Sequence, residues 1–390
     1  MTNNILKAIN QKLHVGGIFC DLAKAFDCVN HEILLAKLNF YGIHGIYSNW
    51  FKSYLTDRKQ KVQIQPPNLS EVSSKWGIVK HGVPQGSILG PLLFIIYIND
   101  LPTTINSLSQ PIVFADDTSV IISSKNIEDF YSVANVVLSH MSKWFIANKL
   151  VLNLDKTTVI KFLTNNLPQY PLNIGYNGKD IEETISTKFL GLQIDNHLNW
   201  KTHIEQLIPK LSAACYAVRA MIHISNLLTL KSIYFAYFHS IMSYGIIFWG
   251  NSTDSKKVFI LQKKIIRIMT GSKQRDSCRS LFKRLEILPL PCQYIFSLMV
   301  FVAKNQGNFQ TNSGVHGINT RNKNNLHKPN ANLSCFQRGA YYSGIKIFNK
   351  LPCNLKNLIG NVVQFKIGLK NYLNAHTFYS LDEFFSCDES

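Results

Sequence analysis

Residues 111–122 read PIVFADDTSVII, two adjacent aspartates between two apolar, β-branched runs. Such runs around a short polar break predict a β-hairpin with Asp116 and Asp117 at its tip. Few features restrict a chain more. Two like charges at the edge of a low-dielectric core repel, and water, a proton or a cation must relieve them. Asp also favours turns for its local hydrogen bonds. From the pair alone, a solvated turn and a cation site are equally open.

A third carboxylate stands at a comparable place. VGGIFCDLAKAFD (15–27) predicts a strand that ends near Asp21 and runs into a turn. Mg²⁺ is the natural hard cation for carboxylates, above all when it is shared with substrate phosphates. Two such ions stabilise both the attacking and the leaving oxygen of an in-line phosphoryl transfer. Between these acids lies GVPQGSILGPLLFIIYINDLP (82–102), a Gly/Pro loop feeding an apolar helix. Gly86 there permits close backbone approach to a ligand, and Gln85 offers both a donor and an acceptor. No Gly-Lys-Ser/Thr follows, so the loop is not a Walker A motif.

Phosphoryl chemistry fits the charge distribution. Residues 1–200 hold 17 Lys/Arg against 15 Asp/Glu, whereas 201–381 hold 24 against 4. A near-neutral chemistry module joined to a polyanion-binding one is the natural reading, with a basic solvated surface as the alternative. Hydrophobic residues at 46% and charged residues at 16% exclude a disordered chain. The eight cysteines form no C-x-x-C pair, which argues against zinc knuckles and a disulfide framework. The first residues lack a signal-peptide core, and the most apolar stretch, IYFAYFHSIMSYGIIFWG (233–250), reads as a buried helix.

Along 15–200 the pattern alternates strands and helices, an α+β or α/β arrangement. Asn30 is placed to cap a helix carrying Ile33, Leu34 and Leu38, which Gly42 ends. An amphipathic helix is expected over 126–150, a turn and strand over 151–162, and a short hairpin over 187–200. Helices are expected at 201–223, 226–249 and 254–271. Within the last of these, KKVFILQKKIIRIMTG (256–271) offers Val258, Ile260, Leu261, Ile265 and Ile268 for burial. Lys256, Lys257, Lys263, Lys264 and Arg267 are left to face phosphates or solvent. Residues 305–333 hold nine Asn in 29 positions and are expected to form a long exposed loop.

Taken in order, Asp21 with LAKAFD, GVPQGSILGPLLFIIYINDLP, FADD, LNLDKT and KFLGLQID resemble the motif series of a reverse transcriptase palm. The wording is most similar to non-LTR (LINE) retrotransposons of the jockey-like group. SIMSYGIIFWG, LQKKIIRIMTG and GIKIFNKLP extend the resemblance over about 15–378. It implies an α+β right-hand polymerase fold. An antiparallel ferredoxin-like palm with a remnant of fingers would occupy 1–200 and an all-α thumb 201–275. A basic, mostly helical C-terminal region would occupy 276–390.

The same resemblance implies RNA-directed DNA polymerase activity, with an RNA template, a DNA primer or target DNA, and dNTPs as partners. Asp21 and Asp116 would be the main ligands of two Mg²⁺ ions, or of Mn²⁺, with Asp117 in support. Phe26 would crowd a ribose 2′-hydroxyl, and Gln85 and Gly86 would line the nucleotide and template. Lys156 would stand near the pyrophosphate, and Phe189, Leu190 and Gly191 would grip the primer. The helix at 256–271 would bind nucleic acid. An intracellular location, nuclear or cytoplasmic, with no membrane, is expected.

Relatives carry a fingers region ahead of the first aspartate motif, and only about 20 residues precede Asp21 here. The expectation is therefore an N-terminally truncated chain. The alternative function is an inactive relic that only binds nucleic acid through its basic half.

Overall fold

In the computed structural model, residues 1–65, 71–163, 174–176, 179–317 and 323–387 are described. The chain divides into two units, one of Met1 and Lys12–Leu190, the other of Thr2–Gln11 and Gly191–Ser390.

The first unit is α+β. Its main sheet has five strands in the spatial order Glu182–Glu183, Thr158–Phe162, His14–Cys20, Asp117–Ser124, Gln110–Phe114. Four run antiparallel to their neighbours, and the short edge strand Glu182–Glu183 pairs parallel, so the sheet is mixed. The antiparallel expectation thus fails only at one edge, where two residues suffice to add a parallel strand. The hairpin predicted around the paired aspartates is present, with Phe114 facing Asp117 in register.

Helix Ile127–Ala147 covers one face of the sheet and buries Phe130, Ala134, Val137, Leu138, Met141 and Phe145. Gly16 makes that contact close. A Cβ on it would lie 2.5 Å from the Phe130 ring, so the central strand needs glycine for space. Asn30 caps helix His31–Phe40 as expected, its side chain accepting from the Ile33 N–H at 3.0 Å. The apolar helix Leu89–Ile98 is anchored by Tyr97, whose hydroxyl donates to the Asn148 carbonyl at 2.6 Å.

In the second unit, strand Leu192–Asp195 leads into helices. Lys201–Met221 and Ser255–Thr270 pack against each other. The continuous helix expected over 226–249 is instead broken. Helix Leu227–Ile233 passes into a π-helical turn, Tyr234–His239, and the chain then bends at Gly245, whose φ is +60°. Apolar content alone did not mark that break.

Helix Ser255–Thr270 also differs from expectation. Its buried face is Val258, Phe259, Gln262, Ile265, Ile266 and Met269, while Ile260 is 61% exposed. Gln262 sits in the core because its amide is fully used. It donates to the Tyr234 hydroxyl at 3.0 Å and the Leu288 carbonyl at 2.9 Å, and accepts from the Leu290 N–H at 2.7 Å. A polar residue on the core face rotated the apparent stripe.

Within 305–333, the described residues include helix Asn312–His316, a bridge between Thr311 and Leu326, and buried Phe309 and Leu326. All eight cysteines are free. Among the described residues no single helix is long and apolar enough to cross a membrane. One bent pair, Arg279–Leu285 with Leu290–Lys304, passes by length and composition, but Leu290, Ile295, Leu298, Met299 and Val302 are buried in the fold.

Candidate active site

Register brings the acids together. Cys20 faces Thr118 across the central strand pair, so the next residues, Asp21 and Asp117, stand opposite one another where the pair ends. Ala115 and Asp116 form the turn between Phe114 and Asp117, and Ala115 adopts φ +52°. Left-handed backbone at alanine is strained by about 1–2 kcal/mol and holds the turn in an uncommon shape.

Asp21 is fixed through its backbone. Its N–H donates to the Thr157 hydroxyl at 3.4 Å, and its carbonyl accepts from the Asn153 N–H at 2.8 Å. Thr157, fully buried, donates its hydroxyl to the Asn153 carbonyl at 2.8 Å. The LNLDKT segment therefore braces the first aspartate. Lys156, from the same segment, lies 3.7 Å from the Asp21 carboxylate with its side chain 69% exposed.

The Asp117 carboxyl is raised above the ordinary carboxylate value, first by desolvation, then by repulsion from Asp116 and Asp21; Lys188 opposes the shift. The site thus holds excess negative charge on hard oxygen donors, which suits a divalent cation. Among the described residues, no three His, Cys, Asp or Glu side chains converge closely enough to hold an ion between them. Donor type and charge fit a metal, while the ligands are not drawn together.

Beside the acids is a cavity of about 430 Å³. Phe26, Gln85, Gly86 and Asp116, drawn from three separate motifs, all line it. Its size is that of a small-molecule site. Phe26 stacks on Phe94, ring centroids 4.6 Å apart and planes at 25°. The loop carrying Gln85 is tied to the segment after Asp21. Val83 donates to the Phe26 carbonyl at 2.9 Å, Gly82 donates to Val29, and the His31 ring bonds the Gly82 carbonyl at 2.8 Å. Gln85 donates to Asp27 at 2.9 Å. Gly86 adopts φ +81° with open space where a Cβ would be, so glycine is needed there for conformation.

Lys156 does not line the cavity but pairs with Asp21. Phe189 packs edge-on against Phe19 at 6.0 Å, and Leu190 and Gly191 both take positive φ where the first unit ends and the second resumes. Lys256, Lys257, Lys263, Lys264 and Arg267 are on helix Ser255–Thr270 of the second unit. Lys256 and Lys264 are exposed. Lys257 pairs with Asp254 at 2.7 Å, Lys263 lies over the Phe259 ring, and Arg267 donates to the Asp276 carbonyl.

Sequence reasoning missed Lys24, which lines the cavity, Asp27, which holds Gln85, Thr157, which braces Asp21, and Lys188, whose charge acts on Asp117. All four lie within the quoted motifs, which was their one signal; nothing in the sequence singled them out from their neighbours.

Residues 2–194 match the family described as reverse transcriptase (RNA-dependent DNA polymerase). Among curated proteins, the chain is 26% identical over 287 residues to "Probable RNA-directed DNA polymerase from transposon BS" of Drosophila melanogaster, covering 69% of this chain and 30% of that protein. It is 28% identical over 282 residues to the corresponding protein of transposon X-element from the same fly, covering 70% and 30%. To "RNA-directed DNA polymerase from mobile element jockey" of Drosophila melanogaster it is 27% identical, covering 74% and 32%. The chain thus spans about a third of the length of these relatives. A solved apo telomerase from Candida Tropicalis overlaps half of the chain and 38% of its own at 14% identity and a TM-score of 0.34, too low for any argument to rest on it. Through residues 2–194 the chain belongs to the reverse transcriptase family, of the kind carried by non-LTR retrotransposons.

Proposed function

We propose that this chain extends a DNA 3′ end on an RNA template, transferring nucleotides from dNTPs. One observation carries the reading above the others: Phe26, Gln85, Gly86 and Asp116, spread over 90 residues of sequence, line one nucleotide-sized cavity beside Asp21 and Asp117.

In this reading the first unit acts as the palm, helices over 201–275 act as a thumb, and the basic C-terminal helices add affinity for nucleic acid. Asp21 and Asp116, with Asp117 in support, would hold two divalent ions, Mg²⁺ by the preference of hard oxygen donors. When bound, these ions supply charge stabilisation at the attacking and leaving oxygens. Phe26, held by its stack on Phe94, leaves no room for a ribose 2′-hydroxyl and so selects dNTPs. Gln85, oriented by Asp27, and the bare backbone at Gly86 line the incoming nucleotide and its template partner. Lys156 offsets charge that develops on the departing pyrophosphate. Phe189, Leu190 and Gly191 support the primer end. Lys256, Lys257, Lys263, Lys264 and Arg267 contact phosphates, which brings affinity without a sequence code. Such substrates place the protein inside the cell, in the nucleus or the cytoplasm.

The test is primer extension on a primed RNA template with Mg²⁺ and dNTPs, beside Asp116→Ala. Incorporation that falls on the order of 10³-fold in the variant supports the proposal. No incorporation by the unaltered chain, with RNA binding intact, overturns it in favour of a non-catalytic binder.

A further inference from the structure

The second unit contains another cavity, of about 450 Å³, formed only by residues of that unit. Tyr342, Ser343 and Ile347 make its buried floor. The Ser343 hydroxyl is internally bonded. Asn251 donates to the Ser343 hydroxyl at 3.3 Å, and that hydroxyl donates to the Gln337 carbonyl at 3.1 Å.

The rim is cationic. Lys328, Arg338 and Lys346 line it against a single acid, Asp382. Among the described residues none of the three cations forms an ion pair. Lys328 lies over the Tyr342 ring at 5.4 Å and Lys346 over Phe385 at 4.4 Å, so aromatic faces hold the two ammonium groups at the rim. Arg338 adds a planar fork suited to bidentate contact with phosphate oxygens. The surrounding field has the same sign, with 24 Lys/Arg against 4 Asp/Glu over 201–381.

We propose that this cavity is a phosphate-binding site, distinct from the polymerase cavity, that holds the backbone of single-stranded nucleic acid through Lys328, Arg338 and Lys346. The preference for an anion stands on the cavity itself. The choice of a nucleic-acid backbone over free phosphate rests on the proposed function. Three cations against one acid suit a phosphodiester, whose charge they offset and whose contacts carry no base code.

The experiment measures binding of a single-stranded RNA 20-mer to the full chain across a salt series. It compares the unaltered protein with Arg338→Gln/Lys346→Gln, with the charge-keeping Arg338→Lys/Lys346→Arg, and with Lys328→Gln at the exposed rim. The double Gln variant is expected to bind about tenfold more weakly, with a log–log salt slope shallower by about 1.4. Lys328→Gln should lose about half of that slope change, and the charge-keeping pair should restore binding. Unchanged RNA affinity and slope in both Gln variants overturn the proposal. Inorganic phosphate, tested as a competitor, separates the two sources. If phosphate binds in a manner that needs Arg338 and Lys346 while RNA binding does not, the nucleic-acid assignment is overturned. Primer extension by Asp116→Ala reports on the polymerase reading separately, since that variant keeps all three rim cations.

Discussion

Phe26 and Phe94 stack with centroids 4.6 Å apart, and the first ring is also a wall of the cavity that Asp116 lines. One side chain therefore joins the core of the first unit to its candidate site. Phe26→Ala should weaken both. Because the ring is only half-buried, the stability loss should be about 2 kcal/mol, below the value for a fully buried phenylalanine. The ratio of ribonucleotide to deoxyribonucleotide incorporation should rise at least about tenfold. Denaturant unfolding and primer extension with each nucleotide class read the two effects.

Asp117 gives a pH dependence with a definite sign. Its folded pKa lies above the ordinary 3.8, so the native state holds the proton more tightly than the unfolded chain does. The stability it contributes is complete below pH 3.8 and is lost as pH rises through the raised folded value. Asp117→Asn should therefore melt higher than the unaltered chain at pH 7 in chelator, and the gap should close towards pH 3.8. Parallel melting curves across that range would count against the repulsion described at the hairpin.

Thr157 acts on Asp21 without being a ligand itself. Thr157→Val removes the acceptor of the Asp21 N–H and the donor to the Asn153 carbonyl. The Asn153 carbonyl keeps the Thr157 N–H at 2.9 Å, so the Asp21 N–H is the group left unmet, and a loss of about 1–2 kcal/mol is expected. If bracing is its role, kcat should fall about tenfold while the Kd for RNA stays fixed. Equal losses in both would mean a global defect.

Gln262 offers a test in the second unit. Gln262→Leu leaves the Leu288 carbonyl and the Leu290 N–H without their partner. Roughly 3 kcal/mol of destabilisation is expected. A neutral result in urea unfolding would show that the core repacks around leucine.

The motifs were legible because each one ends or begins a regular element, and sheet register does the rest. The apolar, β-branched runs on either side were enough to place Asp116 and Asp117 in a hairpin, and the strand before Asp21 was enough to predict its end. The supports were not legible. Asp27 and Gln85 are 58 positions apart and meet only because the loop at Gly82 folds back onto the segment after Asp21. Lys24 takes φ +48°, a conformation that no local pattern announces in a lysine. The face of helix Ser255–Thr270 was misjudged because hydrophobicity ranks Ile260 above Gln262, whereas three hydrogen bonds reverse that order in the core. The bend at Gly245 lay inside an apolar run where glycine gave the sole hint.

Helix Thr2–Asn10 clusters with the second unit, near Ser334–Arg338, while the segment directly after it builds the first. This has a consequence for the order of events during synthesis. At about 5–20 residues per second, a ribosome needs about 15–70 s to travel from one partner to the other. Lys12–Leu190 is contiguous and has all its strands in hand early. Ile5, Leu6 and Ile9, the face that the helix finally buries, are without their docking surface for that whole interval. The apolar face of Thr2–Asn10 therefore stays open while Lys12–Leu190 is already made. Chaperone occupancy at that segment should end when residues near 340 leave the exit tunnel.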